Sequence, residues 1–184
     1  MFSVVVLFLL CCFVFESLEG TESAVRFPQR IRYASRVCYD GSKFHGWQDQ
    51  KVIRTVQGTL SRTLSRRFDQ ELRVTGASRT DQGVHAQGQV MHFDLPPDLQ
   101  LSDIELFEHS FNRMLPTDLR IYNLTIAPRG DHDQIAAGEL FHATKSAIGK
   151  QYIYRFSTRP FVDPLRRNYC SHVRFPLDVP LFQA

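Results

Sequence analysis

Few cysteines occur in this sequence, and neither its cysteines nor its histidines have the spacing of metal ligands. Of the four cysteines in 184 residues, Cys11 and Cys12 lie in an apolar N-terminal run. The other two, Cys38 and Cys170, are far apart and form no Cys-x-x-Cys motif, which argues against a disulfide framework or a zinc ribbon. The seven histidines include no His-Glu-x-x-His arrangement. We therefore predict isolated thiols and no metal site.

Long apolar runs are also lacking, apart from one at the N-terminus. Residues 2–15 are almost entirely apolar, but this run is shorter than the roughly 20 residues of a membrane span. It suits the core of a secretory signal peptide, although no Lys or Arg precedes Arg26 and no clean small-x-small cleavage site follows. We interpret residues 1–25 as a signal-like leader and expect no stable membrane association once it is removed.

The sequence contains no internal repeat or low-complexity tract, and its composition is that of an ordinary globular domain. Apolar residues make up 43% and charged residues 22% of the chain. The net charge of +3 becomes +6 without the leader, because 22 basic residues then stand against 16 acidic ones. A modestly basic domain, predicted over residues 26–176, suits a polyanionic partner without identifying one.

The hydrophobic pattern predicts an α+β unit built on a ferredoxin-like, or split βαβ, sheet. Apolar residues recur at helical spacing from Val56 to Phe68. A second helix is expected to end before Pro116 and to begin at Ser102, with Glu105 at the capping-box position. Alternating and apolar runs predict four strands, over residues 31–39, 72–75, 87–95 and 119–126. The resulting order, βαββαβ, predicts a sheet with its helices packed on one face.

The remainder of the chain is less regular. Residues 129–139 are polar and predict a flexible insertion. Residues 141–143 and 150–157 predict further strands, the second of which would extend the sheet. Residues 177–184 are interpreted as the truncated start of another helix.

The most informative segment is Ser-Arg-Thr-Asp-Gln-Gly-Val-His, residues 78–85, named here the signature loop. Asp81 follows Arg79 by two residues and precedes Gly83 by two, between two predicted strands. A turn there would lift the carboxylate out of the sheet and keep it ionised beside Arg79. Such a carboxylate can attack a sugar carbon or remove a proton from one. An Arg-x-Asp triplet is usually only a surface ion pair, whereas the longer pattern is specific.

The signature loop resembles that of the TruA family of tRNA pseudouridine synthases, which usually carry glycine at the position of Ser78. Other segments resemble family motifs in the same order, and the resemblance covers about residues 31–175. These segments are residues 39–48 (Tyr-Asp-Gly-Ser-Lys-Phe-His-Gly-Trp-Gln), 55–57, 87–90, Asn112 with Leu115 and Pro116, 141–143, 146–147 and 150–154.

The resemblance implies isomerisation of uridine to pseudouridine on the 3′ side of the tRNA anticodon stem-loop. It implies no cofactor, and an enzyme that is usually a homodimer spanning one tRNA. Asp81 is implied as the catalytic carboxylate, which either attacks the sugar or abstracts a proton from its 2′ carbon. Arg79 is expected to pair with Asp81 and help hold the extruded nucleotide, and Tyr152 to stack on the target uracil.

The resemblance also bears on four further side chains. His85 and His142 stand where the family carries histidine, which implies structural or RNA-positioning roles rather than acid–base chemistry. Trp47 and Phe44 are expected to pack beneath the signature loop, although an aromatic side chain there could also stack on a base.

Two departures from the family leave the activity of this chain open. The family's catalytic domain continues with a second α+β half that supplies the other wall of the cleft and a further arginine. Thr144 stands where the family usually has arginine, with Lys145 beside it. The chain is therefore interpreted as an enzyme, with a truncated RNA-binding module that cannot catalyse as the alternative. A glycosidase is disfavoured because no second acidic motif partners Asp81.

Together with this resemblance, the leader suggests where in the cell the protein acts. An RNA-modifying enzyme has no evident role outside the cell, so a signal-like leader suggests a plastid reached through the secretory route, or a mitochondrion. A mispredicted start codon, and with it a cytoplasmic protein, is the alternative.

Overall fold

The computed structural model describes residues 30–129 and 140–175. Its main sheet has four antiparallel strands, all between residues 31 and 126. Its strands lie in the order β2-β3-β1-β4. The predicted α+β class and its six elements are confirmed, although β2 begins two residues later than expected. The elements in chain order are β1 (Ile31–Tyr39), α1 (Val56–Phe68), β2 (Val74–Gly76), β3 (Ala86–Leu95), α2 (Ile104–Met114) and β4 (Leu119–Ile126).

The register of β1 against β3 gives the sheet two chemically different faces. Tyr33 stands opposite Phe93, and both are buried on one face. Because successive side chains of a strand point to opposite sides, Arg32 and Asp94 lie on the other face. There the Arg32 guanidinium donates hydrogen bonds of 2.6 and 2.7 Å to the Asp94 carboxylate.

Both helices contribute to the core on the Tyr33 face. Each side chain fully buried in this layer contributes roughly 1.5–3 kcal/mol through removal of apolar surface from water. The core includes Tyr33, Val37, Phe93, Leu95, Leu60, Leu64, Phe107, Phe111, Leu119 and Ile121.

Helix α2 is capped by Asp103, whose carboxylate accepts a 2.8 Å hydrogen bond from the backbone N–H of Leu106. The prediction that Ser102 caps this helix, with Glu105 completing a capping box, is therefore wrong. Aspartate caps a helix as well as serine does, and Asp103 lies one residue nearer to the helix, so Glu105 moves out of the capping-box position.

The other face of the sheet is partly covered by residues 140–147. Phe141 and Ala143 are buried against Ala34 of β1. The prediction of a strand over residues 141–143 is wrong, because these residues enter a turn. The backbone N–H of Ala143 donates to the Nδ1 atom of His92 at 3.1 Å instead of joining a strand ladder.

Residues 151–175 belong to a separate compact unit. Its short strands β5 (Phe156–Ser157) and β6 (Ser171–His172) pair in parallel. The prediction of a strand over residues 150–157 that extends the larger sheet is wrong, because only the last two residues are in a strand and they pair with β6.

Three predicted features lie outside the described residues. They are the leader over residues 1–25, the insertion beyond Arg129, and the helix start over residues 177–184. In the described ranges, no helix is both long enough and apolar enough to cross a membrane.

Candidate active site

The signature loop joins β2 to β3 and turns sharply at Asp81. The backbone N–H of Val84 donates to the carbonyl oxygen of Asp81 at 3.2 Å, and Gly83 has a φ of +80°. A four-residue turn with a left-handed third residue favours glycine at that position. The spacing Asp-x-Gly-Val therefore encodes a turn that places Asp81 at the end of the sheet.

The segment after β1 packs against this loop. The backbone N–H of Trp47 donates to the carbonyl oxygen of Thr80 at 2.9 Å, and that of Gly83 donates to the carbonyl oxygen of Phe44 at 3.2 Å. The side chains of Trp47 and Phe44 are buried, which confirms the prediction that they lie beneath the loop. Gly46 has a φ of +80°, and a Cβ there would lie 2.6 Å from the Thr80 carbonyl oxygen.

Thr80 is turned into the protein while its two neighbours are exposed. Its Oγ1 atom lies 2.8 Å from the hydroxyl oxygen of Tyr39, and both residues are buried. Arg79 and Asp81 are both exposed. The loop therefore exposes both a guanidinium and a carboxylate.

The expected ion pair between Arg79 and Asp81 is absent from the described part of the chain, whose ion pairs all join other residues. Exposure makes such a pair weak but does not prevent it, since the exposed Arg73 and Glu71 do pair. Two solvated charges gain little Coulomb energy and lose side-chain entropy when they pair. In this structure both groups are therefore available to a ligand.

The ion pair between Arg54 and Asp118 also contacts the segment after β1. Arg54 donates two hydrogen bonds, of 2.8 and 2.6 Å, to the carboxylate of Asp118. Its guanidinium carbon also lies 4.0 Å from the centre of the Phe44 ring. The hydrogen-bonded guanidinium holds the pKa of the Asp118 carboxyl below its ordinary value, against the opposing effect of burial. Sequence reasoning missed this pair, and no local spacing could have indicated it.

His85 makes structural contacts at the end of the loop. Its Nδ1 atom lies 3.1 Å from the backbone nitrogen of Gly41, which donates to it, and 3.1 Å from a carboxylate oxygen of Asp40. A neutral ring accepts from Gly41, whereas a protonated ring would donate to Asp40. These contacts join the turn after β1 to the end of the signature loop.

His92 and His142 lie close together on the face of the sheet that residues 140–147 cover. The ring centres of His92 and His142 are 4.8 Å apart. Burial above all, and then the nearby Arg32 and His142, lower the pKa of His92 to about 4. Burial and Arg32 also lower the pKa of His142. His92 is therefore neutral near pH 7, as its acceptance of the Ala143 N–H requires. The sequence analysis gave His92 no role.

Thr144 and Tyr152, both noted in the sequence, lie in different parts of the structure. The hydroxyl of Thr144 donates to the carbonyl oxygen of Gly76, at the end of β2, at 3.0 Å, and Lys145 beside it is exposed. Tyr152 belongs to the separate unit of residues 151–175 and is 52% exposed. The structure thus brings Arg79 and Asp81 together on one loop, with Tyr152 on another unit. Within the described residues, no group of three or more His, Cys, Asp or Glu side chains could hold a metal ion.

Comparison with known proteins decides the family. The family model described as tRNA pseudouridine synthase matches residues 37–131, which include the signature loop and the segment packed against it. The chain belongs to the tRNA pseudouridine synthase family. Proteins named tRNA pseudouridine synthase A are 38% identical in Latilactobacillus sakei, over 83% of this chain and 57% of the relative, and 40% identical in Leuconostoc citreum, over 83% and 56%. This pseudouridine synthase family member spans little more than half the length of these relatives.

Proposed function

We propose that this chain isomerises uridine to pseudouridine in the tRNA anticodon stem-loop, with Asp81 as the catalytic carboxylate. The reaction breaks the bond between N1 of uracil and C1′ of ribose and forms a bond from C5 to C1′. The C5 proton is lost, and N1 gains a proton. No electrons are gained or lost, so the chemistry needs no redox cofactor. The observation that carries the proposal is the exposed Asp81 carboxylate on a loop fixed by backbone hydrogen bonds.

The position of Asp81 suits both routes that the sequence left open. An exposed carboxylate can reach C1′ as a nucleophile or remove the proton from C2′ as a base. Either route requires the nucleotide to leave the RNA stack, because the sugar carbons of a stacked nucleotide are shielded. Arg79, exposed beside Asp81, supplies a guanidinium that can hold a phosphate of the extruded nucleotide.

Tyr152 is proposed as the aromatic side chain that stacks on the target uracil. Its half-exposed ring in the unit of residues 151–175 supports this role, since base–aromatic stacking requires an accessible face.

By family resemblance we further propose a homodimer that spans one tRNA. We also assign the larger sheet to the ferredoxin-like type, supported by the order β2-β3-β1-β4 with antiparallel neighbours.

The test is a single-turnover assay for pseudouridine in unmodified tRNA, with the full chain in excess. Asp81→Asn removes the carboxylate while keeping its shape, so we expect no product and a nearly unchanged Kd for tRNA. Asp98→Asn is the matched control, because Asp98 is an exposed acid beyond the far end of β3. It makes the same change in charge and should leave the rate intact.

Two results would contradict the proposal. If Asp81→Asn weakens tRNA binding as much as it slows the reaction, Asp81 is a binding residue rather than a catalytic one. If the wild type binds tRNA with salt-sensitive affinity but forms no pseudouridine, the chain is an RNA-binding module that does not catalyse by itself.

We propose an organellar location, plastid or mitochondrial, on the basis of the apolar residues 2–15. A fusion of residues 1–25 to a fluorescent protein tests this in cells of the source organism. Fluorescence that is uniform in the cytosol would contradict it.

A further inference from the structure

Two buried polar side chains fix the part of the signature loop that lies just before Asp81. The hydroxyls of Tyr39 and Thr80 are 2.8 Å apart. The amide of Gln89 donates to the carbonyl oxygen of Ser78 at 2.7 Å. Tyr39 is at the end of β1 and Gln89 lies in the adjacent strand β3. The loop is therefore fixed from the sheet on both sides of Arg79.

The hydroxyl of Tyr39 is buried, and it keeps its proton. Burial above all raises the pKa of Tyr39 to about 12, while hydrogen bonds with Thr80 and Gln89 act in the opposite direction. Tyr39 is 3% exposed and Thr80 is 9% exposed. A buried hydroxyl that loses its partner bears the full cost of desolvation. The hydrogen bond therefore favours the one loop conformation in which Thr80 points inward.

The inward direction of Thr80 determines where its neighbours point. Arg79 and Asp81 flank Thr80 in the chain, and both are exposed while Thr80 is buried. If Thr80 were free to rotate out of the core, the Asp81 carboxylate would move with the backbone. Displacement of a reacting group by about 1 Å can reduce a rate ~100-fold.

We infer that Tyr39 and Thr80 are positioning residues, whose buried hydroxyl pair holds the signature loop so that Asp81 and Arg79 project together toward the nucleotide. The inference rests on the proposed function for its effect on rate. Its effect on the loop can be measured without catalysis. Neither hydroxyl is needed to touch the substrate.

The structure offers a closely matched control in Tyr33. It lies in the same strand as Tyr39, is fully buried, and its hydroxyl accepts a 3.1 Å hydrogen bond from the backbone N–H of Leu101. Leu101 precedes α2, beyond the end of β3 that is remote from the signature loop. Tyr33→Phe therefore removes one buried hydroxyl from β1, as Tyr39→Phe does, but away from the signature loop.

The experiment compares Tyr39→Phe, Thr80→Val, Thr80→Ser and Tyr33→Phe in the full chain. Four quantities are measured: the single-turnover rate, the Kd for tRNA, the urea midpoint, and amide hydrogen exchange of a peptide covering residues 78–85. We expect Tyr39→Phe and Thr80→Val to slow turnover by ~10- to 100-fold with little change in Kd, and to increase exchange in that peptide. Thr80→Ser keeps the hydroxyl and should restore most of the rate.

Each outcome supports or overturns the inference. Tyr33→Phe should shift the urea midpoint without changing the rate or the exchange of residues 78–85. Equal rates for Tyr39→Phe and Tyr33→Phe would overturn the inference, as would a Thr80→Val variant with wild-type exchange in the loop. If the wild type forms no pseudouridine, the proposed function fails for this chain. Hydrogen exchange then decides separately whether the hydroxyl pair holds the loop, and unchanged exchange overturns it.

Discussion

The backbone N–H of Trp47 donates to the carbonyl oxygen of Thr80 at 2.9 Å, which joins the segment after β1 to the loop that carries Asp81. A second backbone bond, from Gly83 to Phe44, joins the same two segments. Because main-chain atoms make both bonds, they depend on the path of the backbone more than on side-chain identity. The glycines that allow this path are therefore sensitive positions.

Gly46→Ala should destabilise the protein by roughly 1–3 kcal/mol, because a residue with a Cβ is strained at a φ of +80° and would lie 2.6 Å from the Thr80 carbonyl oxygen. The urea midpoint measures this loss. Gly149→Ala is the control, since no atom outside its chain neighbours lies within 4 Å of a Cβ built there. Equal midpoints for the two variants would contradict the proposed role of Gly46.

Asp118→Asn should destabilise the protein more at pH 7 than at pH 3. The pKa of Asp118 is lowered in the folded state by its hydrogen bonds with Arg54, so its contribution is fully present above the ordinary carboxyl value of about 3.9. That contribution is lost as the pH falls through the lower folded value. Urea unfolding at both pH values tests this, with Asp98→Asn as the exposed control. A difference from wild type that is equal at pH 7 and pH 3 would refute it.

His92 should make the wild type lose stability between about pH 6.5 and pH 4. Its pKa falls from 6.5 to about 4 on folding, so in this window the unfolded chain binds a proton that the folded chain excludes. The full loss is roughly 3 kcal/mol. His92→Gln, which keeps a hydrogen-bond acceptor, should lack this part of the decline. Parallel stability curves for the two proteins would rule out His92 as the source.

Arg79→Gln should weaken tRNA binding and reduce the slope of log Kd against log salt concentration by about one, as expected for the loss of one phosphate contact. Arg73→Gln is the control, because Arg73 is an exposed arginine paired with Glu71. Binding isotherms at several salt concentrations provide the measurement. A slope that does not change in Arg79→Gln would contradict phosphate binding by this residue.

The sequence predicted the regular elements well because their signals are local. The bounds of β1, α1 and β4 agree with the prediction, since alternation and helical spacing are read within one segment. The errors came where a hydrogen bond to a residue distant in sequence replaced the predicted local structure. Residues 141–143 form a turn because His92, distant in sequence, accepts a hydrogen bond that a strand would have used.

The turn at Asp81 was predictable from the sequence, but the contacts that hold it were not. The pattern around Asp81 and Gly83 identified the turn and its exposed carboxylate. The hydrogen bond between Tyr39 and Thr80, and that between Arg54 and Asp118, join residues far apart in the chain. Tertiary folding alone brings such partners together, so no spacing rule reveals them in one sequence. The predicted Arg79–Asp81 pair does not form, whereas Glu71 and Arg73, also two residues apart and exposed, do pair. Spacing along the chain therefore does not decide which exposed charges pair.

The long sequence separation of Tyr39 and Thr80 has a consequence for how the site forms. A contact between distant residues requires closure of a large loop, so it becomes favourable only after β1 and β3 have paired. The Asp81 turn can form locally, but its orientation arises with the sheet as a whole. A fragment that contains only the segment around Asp81 would carry the carboxylate but would not orient it. The orientation of the Asp81 carboxylate should therefore arise late in folding and be lost in the same cooperative transition that unfolds the sheet.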